Sequence, residues 1–227
     1  MKWRNSLKLI KLLWNLLRPK HFFQYFVKLT SWLFFTTCFS PKYYREANAS
    51  KVIDGNAVVI SNHRGVFDPP ILYMTFFSNY MNMVAAESIF KFPLLSVFFK
   101  GMGCIRIERG KLDTLSFQTS VQKLKSGEVV CLFPEGKLNN TDELMPFQTS
   151  YILMALRGNA PVVPVYIGGG YKLFNRQRIV IGNPINLRDY LTSDKLSLKV
   201  IEELNDIVYY KMLKLGELLK EKEKMNE

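Results

Sequence analysis

The chain has 227 residues, enough for one substantial domain or two small ones, and a composition 48% hydrophobic and 22% charged, which excludes a disordered polypeptide. Its formal net charge of +12 points to an anionic partner: nucleic acid, a membrane surface or a phosphorylated substrate. The three cysteines, Cys38, Cys104 and Cys131, are odd in number and widely spaced, which excludes a disulfide framework or a zinc pattern and suits a reducing compartment.

The first 45 residues hold nine Lys or Arg and no Asp or Glu. Trp3, Trp14, Phe22, Phe23 and Trp32 are among the aromatics of the same segment. A basic, aromatic, helix-compatible stretch without acids has the composition of an amphipathic element lying on a membrane surface, so residues 1–45 are expected to form membrane-binding helices. Lys8 and Lys11 interrupt the apolar stretch expected of a signal peptide. Within this segment the longest uncharged run, Leu29 to Pro41, is 13 residues. That is short of the roughly 20 needed to span a bilayer. Nucleic-acid binding is the weaker reading, because the aromatics sit among Leu and Ile rather than among Gly and polar residues.

The stretch "PKYYREANASKVIDGN" reads as a polar connection, and from Ala57 short β-rich runs alternate with helical ones. "AVVIS" is a strand, and Pro69 and Pro70 fit the first turn of the helix that follows. "MNMVAA" is a strand, with a helix kinked or started near Pro93. "GCIRI" is a strand, and the helix after it is closed by Gly127. "EVVCLF", a helix at "QTSYILMALRG", "APVVPVYIG" and "QRIVIGNPI" complete the body. From Ser193 a long amphipathic helix runs to about Lys220. This alternation predicts a single-domain α/β sandwich with a largely parallel central sheet over residues 46–192, and a C-terminal helix in 193–227 packed upon it. Ligands in such sheets gather at the carboxyl ends of strands.

No phosphate-binding P-loop, dinucleotide fingerprint, nucleophile elbow or H-E-x-x-H occurs, and no metal-ligand cluster is evident. Cys104 and Cys131 lie in apolar strands, where a buried, inert thiol is usual. His63 and Asp68 remain, five residues apart at a strand-to-helix turn. A carboxylate that holds one imidazole nitrogen fixes the tautomer and stabilises the imidazolium, which suits His63 to act as a base on a substrate alcohol. "FPEGK" places Glu135 at the same sheet edge, and "GCIRIERG" ends with Arg109, a candidate phosphate ligand.

Four ordered blocks, "NHRGVFD", "GCIRIER", "FPEGK" and "VVPVYI", together resemble the glycerolipid acyltransferases of the lysophosphatidic acid acyltransferase type. The resemblance spans about Val52 to Ile185. It implies transfer of an acyl group from a thioester donor, acyl-CoA or acyl carrier protein, to a hydroxyl of a lysophospholipid acceptor, with no metal or redox cofactor. His63 would be the general base and Asp68 its orienting partner. Asn62, Arg109, Glu135, Gly136 and Lys137 would form the acceptor site, with Arg109 facing the acceptor phosphate. Pro134 and Pro164 would help to form the acyl or donor pocket. The N-terminus is similar to the membrane-lying helices of bacterial members, implying a peripheral protein at the cytoplasmic leaflet and a phospholipid membrane, not nucleic acid, as partner.

Two departures stand out. The third block continues Lys137-Leu138-Asn139, with leucine where the family carries an arginine. Ala85-Ala86-Glu87 lacks a lysine common in the family. With these two cations gone, the expected acceptor is a lysophospholipid of less charged headgroup, since a phosphomonoester rewards several cations. The alternative from another class is a non-catalytic membrane lipid-binding protein of the same fold.

Overall fold

The computed structural model describes residues 19–108, 113–139, 141, 143–169, 171, 176–191 and 196–225. Chain order runs α1 (Pro19–Phe39), β1 (Lys42–Arg45), β2 (Ala57–Ser61), α2 (Asp68–Thr75), β3 (Met81–Ala86) and a 3₁₀ turn at Glu87–Phe90. It continues through α3 (Pro93–Gly101), β4 (Ile105–Ile107), α4 (Thr114–Lys125), β5 (Val129–Leu132), α5 (Ser150–Gly158), β6 (Val162–Ile167) and β7 (Arg178–Ile181). A second 3₁₀ turn at Leu187–Tyr190 leads to α6 (Leu198–Lys224).

The seven strands form one sheet in the order β1-β7-β6-β2-β5-β3-β4. All neighbouring pairs are parallel except β6 with β7. β2, β5 and β6 lie adjacent at the centre and are buried throughout, which explains their near-continuous runs of β-branched residues. Alternate residues feed two cores. Val58, Ile60, Val130 and Leu132 pack toward α4, α5 and α6, whereas Ala57, Val59, Val129 and Cys131 pack toward α1 and α2. Along α6 the buried positions Ile201, Leu204, Val208, Met212, Leu215 and Leu219 recur at three- and four-residue spacing, placing one apolar stripe on the sheet. Its N-cap is Ser197, whose hydroxyl accepts from the Val200 N–H.

The N-terminal boundary differs from the expectation. Lys42–Arg45, within a stretch whose composition suggests helix and connection, is an edge strand paired in parallel with β7, so these residues belong to the sheet. Its Lys and Arg suit an edge exposed to solvent. α1 is equally part of the body, because Tyr25, Phe35 and Phe39 are buried in the core beneath it. Residues 19–45 are therefore not an appendage to a domain that starts at 46.

α1 departs from the ordinary amphipathic pattern. Beside Tyr25, Phe35 and Phe39, its inner face carries polar groups that bond to main chain. Gln24 donates from Nε2 to the Met81 and Met102 carbonyls and accepts from the Met81 N–H. Lys28 donates from Nζ to the carbonyls of Phe76, Phe77 and Asn79, just beyond α2. Its outer face is apolar: Phe22, Phe26, Leu29, Trp32 and Leu33 are all exposed. α3 extends that surface with exposed Phe92, Leu94, Leu95 and Val97, and an edge-on contact between Phe23 and Phe98 (5.8 Å) joins the two helices.

Candidate active site

The site lies at the carboxyl ends of the three central strands. β2 leads into Asn62 and His63, β5 into Phe133–Gly136, and β6 into the turn that reaches Tyr171. Pro69 and Pro70 start α2 directly after the first of these loops, so the chain turns sharply and brings Asp68 back under His63. His63 Nδ1 lies 2.8 Å from Asp68 Oδ2. The same oxygen accepts the main-chain N–H of Arg64 (2.6 Å) and of Gly65 (2.8 Å), and Asp68 is fully buried. Its other oxygen accepts a hydrogen bond from the Tyr171 hydroxyl. A carboxylate with four donors has a fixed orientation. With Nδ1–H directed at Asp68, Nε2 carries the lone pair. The imidazole is stacked on Phe133 (centroids 4.0 Å apart) and its side chain is 15% exposed.

The loop after β5 clamps the loop after β2. Glu135 Oε1 accepts the His63 N–H at 3.1 Å, and the Asn139 N–H donates to the His63 carbonyl at 2.7 Å. Glu135 Oε2 accepts from Asn139 Nδ2 (2.8 Å) and from the Met145 N–H (3.4 Å). Burial raises the Glu135 pKa, and the hydrogen bonds from Asn139, His63 and Met145 oppose that rise. Gly136 turns the loop with φ +73°, and a Cβ there would meet Gln148 Nε2 at 2.5 Å.

His63 opens onto a cavity of about 790 Å³ that runs beneath α1 toward β3, β4 and α3. Phe35, Tyr73, Met74, Met83, Phe99 and Met102 contribute to an apolar lining that also includes Pro134, Gly136 and Leu138. Among the described residues, the charged side chains on this lining besides His63 are Lys28 and Glu108. Burial lowers the Lys28 pKa to about 7. Burial also pushes the Cys104 thiol up to about 11, which leaves it a poor nucleophile.

The residues singled out from sequence thus divide. His63 and Asp68 pair as expected, and Pro134 and Gly136 line the cavity. Asn62 does not face it: its amide exchanges two hydrogen bonds with the Ile167 main chain (2.9 and 2.8 Å), tying β2 to β6. Glu135 is spent on the loop clamp, and Lys137 is exposed outside the cavity lining. Pro164 is a correction too. It lies on the opposite side of the sheet, against Gly182 and beneath α6, because alternation along β6 turns it away. Phe22, Phe23 and Trp32 lie on the outer face of α1, whereas Trp3, Trp14 and Arg109 fall outside the described residues. Lys28, Asn139 and Tyr171 were not anticipated. For Lys28 a signal existed, a single cation amid an aromatic run; Asn139 and Tyr171 carried none.

A family model described as Acyltransferase matches residues 40–168, which include both clamped loops and the strands that carry them. The chain belongs to the acyltransferase family. This acyltransferase is 27% identical over 172 residues to the 1-acyl-sn-glycerol-3-phosphate acyltransferase of Bacillus subtilis, covering 73% of this chain and 85% of that one. It is 30% identical over 126 residues to a lysophospholipid acyltransferase of Arabidopsis thaliana, covering 52% of this chain but 30% of the plant protein. The crystal structure of the 1-acyl-sn-glycerophosphate acyltransferase PlsC from Thermotoga maritima shares its fold, with a TM-score of 0.65 and 19% identity over 95% of this chain and 88% of that one. Among the described residues, no helix of the acyltransferase is long and apolar enough to cross a membrane.

Proposed function

We propose that the protein transfers a fatty acyl group from an acyl-CoA or acyl carrier protein thioester to a hydroxyl of lysophosphatidic acid or a related lysophospholipid, at a membrane surface, with His63 as general base. The observation that carries this reading is the His63–Asp68 pair at the mouth of an apolar cavity large enough for a lipid chain. The names of the Bacillus and Arabidopsis relatives support the acceptor class.

In this scheme the acceptor hydroxyl gives its proton to His63 Nε2 as its oxygen attacks the thioester carbonyl carbon. Asp68 stabilises the imidazolium so formed. The tetrahedral intermediate then collapses, the C–S bond breaks, and the proton on Nε2 passes to the departing sulfur. The products are the acylated lipid and a free thiol, and His63 returns to its neutral form. The exposed apolar surface of α1 and α3 would rest in the lipid interface, directly above the cavity, so that acyl chains enter without crossing water.

Leu138, Ala85 and Ala86 place small or apolar side chains on the cavity where the resemblance to the family leads to an expectation of cations, which favours an acceptor headgroup less charged than a phosphomonoester. Rates measured side by side with lysophosphatidic acid and lysophosphatidylglycerol test that part, and a strong preference for lysophosphatidic acid defeats it. The reaction itself is tested with labelled palmitoyl-CoA and palmitoyl-carrier protein, in detergent, against a panel of lysolipids. Acylation of one acceptor supports it. Failure of both donors with every acceptor would falsify it and leave a lipid-binding protein of the same fold.

A further inference from the structure

Asp68 has two carboxylate oxygens, and the His–Asp pair uses one. Oδ2 serves His63 and the two main-chain N–H groups, and Oδ1 takes the Tyr171 hydroxyl. Tyr171 comes from the turn after β6, three residues beyond the segment that the family model matches. Its ring is held on two sides by aromatics: edge-on to Phe39, the last residue of α1 (5.7 Å), and tilted against Phe67, the residue before α2 (5.6 Å). On a third side it lies over Gly65, where an added Cβ would come within 2.7 Å of the ring carbons Cδ2 and Cε2. The glycine thus leaves the space that the ring fills.

We propose that Tyr171 is a positioning residue for the reaction, acting through Asp68: its hydroxyl fixes the plane of the carboxylate, so that the oxygen bonded to His63 Nδ1 keeps its direction. This rests on the reading of His63 as general base. The geometric reason is that an aspartate side chain turns about its last bond with little resistance. Donors on one oxygen alone leave the plane of the group free to tilt about that oxygen. A donor fixed on Oδ1 from the opposite side defines the plane of the group. Burial first, and then the Asp68 charge, push the Tyr171 hydroxyl well above its ordinary range, with Arg64 acting the other way, so it remains a donor across the working pH range. The same ring touches the end of α1, so seating of the lipid-facing helix and alignment of the dyad share one aromatic cluster.

The test uses the full chain in detergent with an accepted lysolipid and thioester donor, comparing wild type, Tyr171→Phe, Gly65→Ala and His63→Ala. Tyr171→Phe keeps the ring and its packing and removes only the hydroxyl. The expected result is a fall in kcat of about tenfold, the value of one hydrogen bond to a charged group, with KM unchanged. The acid limb of the kcat/KM profile moves to higher pH, since Oδ1 no longer shares its charge with a donor and the imidazolium is held more tightly. Gly65→Ala, which displaces the ring without touching the hydroxyl, reproduces the loss of kcat. A Tyr171→Phe protein with wild-type kcat and pH profile overturns the proposal, as does a loss expressed only in KM, which would place Tyr171 in the acceptor pocket. If His63→Ala is inactive while Tyr171→Phe is unaffected, the Tyr171 role alone fails. If His63→Ala keeps its rate, the general-base reading itself fails.

Discussion

Replacing Asp68 with asparagine separates charge from geometry at the dyad. The three N–H donors on the Oδ2 side, from His63 at 2.8 Å, Arg64 at 2.6 Å and Gly65 at 2.8 Å, demand an oxygen there. The amide therefore turns its oxygen toward them and its NH₂ toward Tyr171, whose hydroxyl is able to rotate and accept. His63 keeps its Nδ1–H tautomer, and what is lost is the negative charge beside the imidazolium. Opposite unit charges 4 Å apart interact by about 4 kcal/mol at an effective dielectric near 20. The neutral hydrogen bond that survives retains about 1 kcal/mol of this. The net loss of about 3 kcal/mol corresponds to a fall in kcat of about a hundredfold. The assay is the initial rate of acyl transfer at saturating donor, with thermal unfolding as control, and the fold should be little affected. An inverted tautomer would cost far more, about 10⁴. A loss of that size, or none, would mean that Tyr171 does not accommodate the amide in this way.

Three further outcomes are expected. Lys28 has its pKa lowered to about 7 by burial, so between pH 7 and its ordinary 10.5 the unfolded chain holds a proton that the folded chain has released, and stability rises with pH across that window. Its contribution is about 1.4 kcal/mol per pH unit, and urea unfolding at pH 7, 8 and 9 should show that slope lost in Lys28→Met; parallel profiles for the two proteins contradict it. Gly136→Ala forces a Cβ onto Gln148 at a φ of +73° and should destabilise by about 1–2 kcal/mol in urea, with lower kcat as the Glu135 clamp shifts. Trp32→Glu combined with Leu94→Glu, at positions 52% and 84% exposed, should weaken vesicle flotation while changing stability by no more than about 1 kcal/mol; undiminished flotation would remove α1 and α3 as the lipid-facing surface.

Much of this architecture was legible because it is periodic or punctuated. The central strands announce themselves as buried β-branched runs, Pro69 and Pro93 mark helix starts, and Gly127 closes α4 with φ +77°. The strand Lys42–Arg45 was not legible. Four residues with two charges carry no alternating pattern, and their partner, β7, lies 136 residues further along. Residue type was also a poor guide to direction. Asn62 adjoins His63 in sequence and Glu135 ends a strand at the same sheet edge, yet their side chains tie neighbouring loops and strands together, and a single step along β6 turns Pro164 away from the cavity. Asn139 and Tyr171 belong to the site only through contacts with loops 76 and 103 residues away in sequence, which no local pattern encodes. The exposed apolar face of α1 was hidden for a related reason. Composition marks that helix as basic and aromatic, but only the packing shows Lys28 turned inward onto the carbonyls that follow α2 and Trp32 turned out.

Acyl transfer by His63→Ala beside the wild type, with palmitoyl-CoA binding measured on both, tests whether His63 takes the acceptor's proton. The expected result is a kcat lowered by roughly 10²–10⁴-fold with donor affinity unchanged. A variant that turns over near the wild-type rate would contradict it.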